Sequence, residues 1–169
     1  LTRAGITQRS DINLFVMDNN LPCEVSRSLN LEDELPQKLN QLAQEVGKLD
    51  KVSQAKLGAV TAWAQPAAVE EVVQLCRNLD QFDFIPHIHS VQEYGKYMVQ
   101  ESGDYYYDAG LEGYIDYERL GQSLLFKEIG QFVESGYISY KGTLTLEELM
   151  MGDSVEQYRA EQGPLMGGM

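Results

Sequence analysis

Six carboxylates, Glu101, Asp104, Asp108, Glu112, Asp116 and Glu118, fall within the stretch ESGDYYYDAGLEGYIDYERLG at residues 101–121, and no lysine or arginine lies among residues 101–118. Carboxylates gathered this way can move protons as an acid–base pair, ligate a hard cation, or hold a field of one sign against a basic partner. Asp104, Asp108, Glu112 and Asp116 recur every four residues. On a helix that spacing would line one face at roughly 6 Å intervals. Like charges so placed repel, and Gly103, Gly110 and Gly113 interrupt any single helix, so the stretch reads as turns and short helices that share an acidic face. Acidic runs are most often only solvated surface. Here Tyr105, Tyr106, Tyr107, Tyr114 and Tyr117 are interleaved with the acids, whereas disordered acidic tails are poor in aromatics. The stretch is therefore expected to be folded, with its carboxylates held ready for a basic partner.

The other chemistries find less support. His87 and His89 form HIH with no third His or Cys nearby, which suits surface or hinge histidines better than a metal site. No G-x-S-x-G elbow, phosphate-loop spacing or EF-hand pattern occurs. Cys23 and Cys76 fit no CxxC spacing and are expected to be free thiols. No metal and no cofactor are expected. A carboxylate-dependent hydrolase remains an alternative, because the acids could pair in the fold.

The net charge of -13 argues against nucleic acid or an anionic membrane as a direct partner. Most of that charge sits in the second half: residues 1–79 carry ten acids and eight bases, residues 80–169 sixteen acids and five bases. No apolar run approaches the ~20 residues that span a bilayer, and the start of the chain lacks the apolar region of a secretion signal, so a soluble cytoplasmic protein is expected. The chain begins with Leu1 rather than methionine, as a fragment would.

The elements that must position these acids follow from periodicity. A helix end near Gly5 leads to an apolar strand at 11–17, DINLFVM; a turn at 18–20 leads to a second extended segment at 21–25, broken by Pro22. Leu35, Leu39, Leu42, Ala43, Val46 and Leu49 mark a helix with Pro36 in its first turn and Gly47 near its end. A second helix over 51–64 presents Val52, Leu57, Val60 and Trp63, and Pro66 stops it. A third, over 67–78, buries Val69, Val72, Val73, Leu75 and Cys76, with Glu70 and Glu71 as capping charges. FDFI at 82–85 reads as a strand ended by Pro86. Ser90 and Glu93 then set a capping box for a helix to Gln100 that carries Tyr94, Tyr97 and Met98. Asp116 is placed to N-cap a helix to about 127 with Leu120 and Leu124 inward. Residues 132–133 and 137–140 form a hairpin, and a last helix runs from 146 to about 162, weakened at Gly152.

The segment GYIDYERLG at 113–121 resembles the YIDYxxxGRD signature of ArdA-type antirestriction proteins. NLDQFDFIPHIHSVQEYGKYMVQESG at 78–103 is similar to the family's segment before the signature, and GQFVESGYISY at 130–140 to its closing hairpin. FVMDNNLP at 15–22 and the helix at 35–49 are similar to the end of the family's first domain and the start of its middle one, so the resemblance spans roughly 12–140. Gln122 and Ser123 stand where the family shows a basic and an acidic residue. The resemblance implies a dimeric protein without catalytic residues, carried by mobile elements, whose carboxylates imitate DNA phosphates in the groove of type I restriction-modification enzymes. It also implies that most of the first domain is missing before Leu1.

The combined expectation is an α+β protein built as an elongated chain of small subdomains: a remnant of an N-terminal α/β unit at 1–29, a helical middle at 30–80, an acidic α+β unit with a short antiparallel sheet at 81–142, and a helix and tail at 143–169. The expected phosphate-mimicking acids are Glu101, Asp104, Asp108, Glu112, Asp116 and Glu118, with Glu128 and Glu134 as lesser candidates. Expected dimer contacts are Tyr105, Tyr106, Tyr107, Tyr114, Tyr117, Tyr137 and Tyr140, since aromatic residues are enriched at interfaces. The competing non-enzymatic reading is an adaptor of a mobile element that binds a basic protein.

Overall fold

The computed structural model describes residues 19–152. The strand expected at 11–17, the helix end near Gly5 and the continuation of the last helix past Gly152 lie outside them. Ten elements follow in order: α1 (Cys23–Ser28), α2 (Pro36–Gly47), α3 (Lys51–Ala64), α4 (Val69–Arg77), β1 (Phe82–Pro86), α5 (Val91–Gln100), α6 (Tyr117–Leu125), β2 (Ile129–Val133), β3 (Gly136–Tyr140) and α7 (Leu146–Met151). Short 3-10 turns at Leu31–Asp33, Leu79–Gln81 and Ala109–Tyr114 complete them. The strands form one antiparallel sheet in the order β1-β3-β2, so the fold is α+β, as expected.

Local rules account for most boundaries. Asp50 accepts a hydrogen bond from the Ser53 N–H at 2.7 Å and starts α3; that bond holds its carboxyl below the usual range. Pro36 opens α2 where no amide hydrogen is needed. Gln65, at φ 50°, closes α3 ahead of Pro66. Thr145 and Glu148 form a complete capping box on α7.

Several expectations need correction. Residues 21–25 are not extended throughout: Pro22 is the N-cap of α1, and the Asn19 carboxamide oxygen accepts from both the Leu21 N–H and the Ser26 hydroxyl. These bonds wrap the chain into a turn that buries Val25. Val52 is 75% exposed, because the inward stripe of α3 runs through Leu57, Ala59 and Val60. The box at Ser90 is half-made: Ser90 accepts from the Glu93 N–H, but Glu93 accepts from the His89 N–H one residue further out. Leu120 and Leu124 are only half-buried, and Gly121 is the buried position of α6. Helix α6 ends at Leu125, and β2 begins at Ile129, earlier than the hairpin pattern suggested, because pairing with β3 extends it to Ile129↔Tyr140.

One cluster of buried side chains runs from Val25 through Leu42, Leu57, Val72 and Leu75 to Phe82 and Ile138 of the sheet and Leu149 of α7. Each such side chain contributes about 1.5–3 kcal/mol when fully buried. Trp63 meets Phe82 edge-on, with ring centroids 6.4 Å apart. Cys23 is exposed and Cys76 buried, both as free thiols; burial pushes the Cys76 thiol up to about 12. Among the described residues no helix is long and apolar enough to cross a membrane.

Strand alternation leaves Tyr137, Ser139 and Lys141 on the face of the sheet opposite Ile138 and Tyr140. Helix α5 docks on that face through Tyr94, whose ring lies 4.9 Å from that of Tyr137. Helix α6 packs on α5 with backbones in direct contact. A Cβ on Gly95 would stand 2.0 Å from the Tyr117 carbonyl oxygen, and one on Gly121 would stand 2.2 Å from the Val91 carbonyl oxygen. Neither oxygen can swing aside without moving its helix. Gly95→Ala or Gly121→Ala should therefore cost about 1–3 kcal/mol through overpacking, despite alanine's better helix propensity. At about 2–4 °C per kcal/mol, thermal unfolding by circular dichroism should register a clear drop for each. Gly47→Ala, where a Cβ meets nothing within 4 Å, should leave the melting temperature unchanged or raise it.

Candidate functional site

The acidic segment is the connection between α5 and α6, and its two ends are fixed by their contact. Glu101 is the C-cap of α5, donating its N–H to the Tyr97 carbonyl at 2.8 Å. The Ser102 hydroxyl donates to the Met98 carbonyl and accepts from the Asp104 N–H, and Gly103 takes φ 79° to make this turn. Asp108 caps the 3-10 turn Ala109–Tyr114 by accepting from the Gly110 N–H at 2.7 Å. Asp116 caps α6 by accepting from the Arg119 N–H at 3.0 Å, as its sequence position predicts, and Glu118 follows in the first turn.

A single polar side chain ties the middle of the segment back to α5. Gln100 donates to a Glu112 carboxylate oxygen at 2.7 Å and to the Tyr117 hydroxyl at 3.2 Å. The four-residue spacing is consequently not that of an α-helix. A 3-10 rise puts Glu112 roughly 8 Å from Asp108, and the extended stretch before it allows up to about 13 Å from Asp104. All six acids are exposed, and among the described residues none of them forms an ion pair. The ion pairs lie elsewhere, as in Lys38–Glu70, Arg77–Glu45 and Lys141–Asp83. Glu71 is used as a cap, accepting from the Ala67 N–H.

The two lesser candidates sit differently. Glu134 is exposed but lies 3.8 Å from the guanidinium of Arg27. Glu128 accepts from the Tyr94 hydroxyl at 2.9 Å and the Tyr137 hydroxyl at 3.1 Å, joining α5 to β3. The tyrosines divide as well. Tyr106 and Tyr114 are almost fully exposed and Tyr105 partly so; Tyr107 and Tyr117 are half-buried. Tyr137 and Tyr140 are buried inside the chain, at 2% and 6% exposure, Tyr140 against Phe82 at 4.9 Å between rings.

His87 and His89 are exposed, and His87, at φ 63°, donates its N–H to the Ser135 carbonyl. Among the described residues no group of three or more His, Cys, Asp or Glu is arranged to hold a metal ion. Sequence reasoning missed Gln100 and the Gly95–Gly121 contact. A glycine inside each amphipathic helix was a usable signal for the second. Nothing in the sequence marks Gln100, whose partners lie twelve and seventeen residues away.

Fold and site together define a small α+β protein whose distinguishing surface is a run of exposed carboxylates, unpaired among the described residues, in the connection between two helices. The family described as Antirestriction protein (ArdA) matches residues 7–139, most of the chain, and the protein belongs to that antirestriction family. No curated protein matches the chain.

The Glu128 bridge carries a pH dependence. Burial, followed by the hydrogen bond to Glu128, holds the Tyr94 hydroxyl well above its ordinary value of 10.0. Burial and the Glu128 charge do the same for Tyr137. A raised folded-state value means that their contribution is complete below the unfolded value of about 10 and is lost as pH rises above it. Melting temperature should fall steeply above pH 10. Titration of tyrosinate absorbance should show a late phase in which Tyr94 and Tyr137 ionise only as the protein unfolds. A Tyr94→Phe/Tyr137→Phe variant should reduce that late phase, leaving the buried Tyr140 to contribute to it.

Proposed function

We propose that this antirestriction protein is a DNA mimic that works without catalysis. Its carboxylates Glu101, Asp104, Asp108, Glu112, Asp116 and Glu118 stand in for backbone phosphates in the DNA-binding groove of a type I restriction-modification enzyme. The observation that carries this reading is the run of six exposed acids, unpaired with any cation among the described residues, of which Asp108 and Asp116 are held as caps and Glu112 by Gln100. Caps make the arrangement rigid, so little ordering entropy opposes binding. Duplex DNA presents about one charge per 1.7 Å of axis, and a segment with carboxylates roughly 8–13 Å apart is a sparse copy of one phosphate row. Backbone contacts carry no sequence information, so such a copy competes with DNA whatever site the enzyme reads. The place of action is the cytoplasm, and the carrier a mobile genetic element.

Competition against labelled DNA bound to a type I methyltransferase core tests this directly. The protein should displace DNA at low salt and do so progressively less well as ionic strength rises. Replacing Asp104→Asn, Asp108→Asn, Glu112→Gln and Glu118→Gln together keeps the cap at 108 and the Gln100 acceptor at 112, and relieves like-charge repulsion. Its melting temperature should be no lower than the parent's. Its displacement of DNA should weaken about tenfold or more, taking each exposed charge contact as worth about 0.2–1 kcal/mol. Glu32→Gln, one exposed charge removed from the helical half, should change displacement little. A fourfold variant that stays folded and competes as well as the parent would reject the mimicry. Displacement indifferent to salt would favour an adaptor that binds a specific protein surface.

The same reading includes a homodimer formed through the tyrosine-rich C-terminal half, with Tyr106 and Tyr114 as its most exposed tyrosines. Light scattering at physiological salt should give twice the chain mass of 19.0 kDa, and Tyr106→Ala/Tyr114→Ala should shift it toward one chain. A single-chain mass at micromolar concentration rejects the dimer.

A further inference from the structure

Beside the acidic segment lies a cleft of about 600 Å³ between the outer face of the sheet, α3 and α5. Its volume falls in the range that accommodates a ligand or a large side chain. The floor is β3, where Ser139 is only 8% exposed and, among the described residues, its hydroxyl has no hydrogen-bond partner. Opening into the cleft, that hydroxyl is free to bond an occupant in place of water. One wall carries Tyr97, Met98 and Tyr94 of α5, and the rim carries Ser102 and Asp104 at the start of the acidic segment.

Charge selects the class of occupant. Asp83 and Lys141 form an ion pair and are neutral as a unit. The remaining charged groups facing the cleft are Asp104 and Glu128 against Lys56 of α3, a net of one negative charge. Each oxygen of Glu128 takes one tyrosine hydroxyl and keeps a second lone pair. A planar cation suits this set, because its N–H groups bond carboxylates and hydroxyls of the kind that line the cleft and its face stacks on a tyrosine ring. An ammonium offers neither the fork nor the flat face.

We infer that the cleft is the receptacle for one arginine side chain of the protein partner, seated on Ser139 and the tyrosines with Asp104 at its mouth. This deepens the mimicry reading and rests on it, since a basic groove laid along residues 101–118 would carry an arginine past Ser102 and Asp104. The cleft then adds a shaped contact to a surface that otherwise works by charge alone.

The test uses N-acetyl-arginine amide titrated into the ¹⁵N-labelled protein at low salt, with N-acetyl-citrulline amide, its uncharged near-isostere, in parallel. The arginine probe should shift the amide resonances of Asp83, Tyr97, Asp104 and Ser139 along one saturable curve, and the citrulline probe should not. Ser139→Ala and Asp104→Asn should each raise the probe's Kd about threefold or more. Asp104 is exposed, so its variant remains informative even if Ser139→Ala unfolds. Equal shifts with citrulline, arginine shifts that fall elsewhere, or parent-like binding by the folded variants would overturn the inference. The titration needs no restriction enzyme, so the two readings fail separately. A protein that binds the probe here but never displaces DNA keeps the cleft and loses the mimicry. One that displaces DNA and ignores the probe loses only the cleft.

Discussion

The direct backbone contact between α5 and α6 is the constraint on which the acidic surface depends. Two helices usually meet through side chains, with axes 8–10 Å apart. Here Gly95 and Gly121 remove those side chains, and each helix presses a carbonyl oxygen into the space. The start and finish of the segment between Gln100 and Tyr117 are thereby locked side by side. A connection with fixed ends loses far less entropy on ordering than a free tail of the same composition. The acids therefore need no cations to hold them, and the caps at Asp108 and Asp116 with the Gln100 bridge suffice.

Electrostatic self-repulsion is affordable because every acid of the segment faces water. Two like charges about 8 Å apart cost roughly 0.5 kcal/mol at the dielectric constant of water, several times less than at a partly buried site. Stability comes from elsewhere, chiefly the cluster shared by α2, α3, α4 and the inner face of the sheet. This separation lets one part of the chain be selected for packing and another for charge. It also explains why the paired carboxylates lie off the segment: Glu45, held by Lys48 and Arg77, and Glu70, held by Lys38, both titrate below the usual range.

Glu128 shows how a carboxylate can belong to the acidic half and yet serve the fold. Its two tyrosine hydroxyls attach the α5–α6 unit to β3, and both tyrosines line the cleft that Ser139 also lines. The acids of the segment and the tyrosine-bonded Glu128 thus do different work. The first set spreads a field, and the second shapes a pocket.

Sequence by itself determined the local elements and the composition of the surface. Leucine spacing fixed α2, valine spacing fixed α4, Asp116 announced the start of α6, and the absence of bases from 101–118 announced an unneutralised stretch, because these depend on neighbours within a few residues. The signature at 113–121 carried the family. Tertiary structure alone decided which acids remain free. Glu128 and Glu134 look like the others in sequence, but their partners Tyr94 and Arg27 are brought to them from distant helices. It likewise decided that α1 forms where Pro22 suggested a broken strand, that Tyr137 and Tyr140 are buried while Tyr106 and Tyr114 are not, and that Ser139 lies at the floor of a cleft. The reason is the same in each case: partner choice across tens of residues is set by how helices and strands pack, and no period in the chain encodes it.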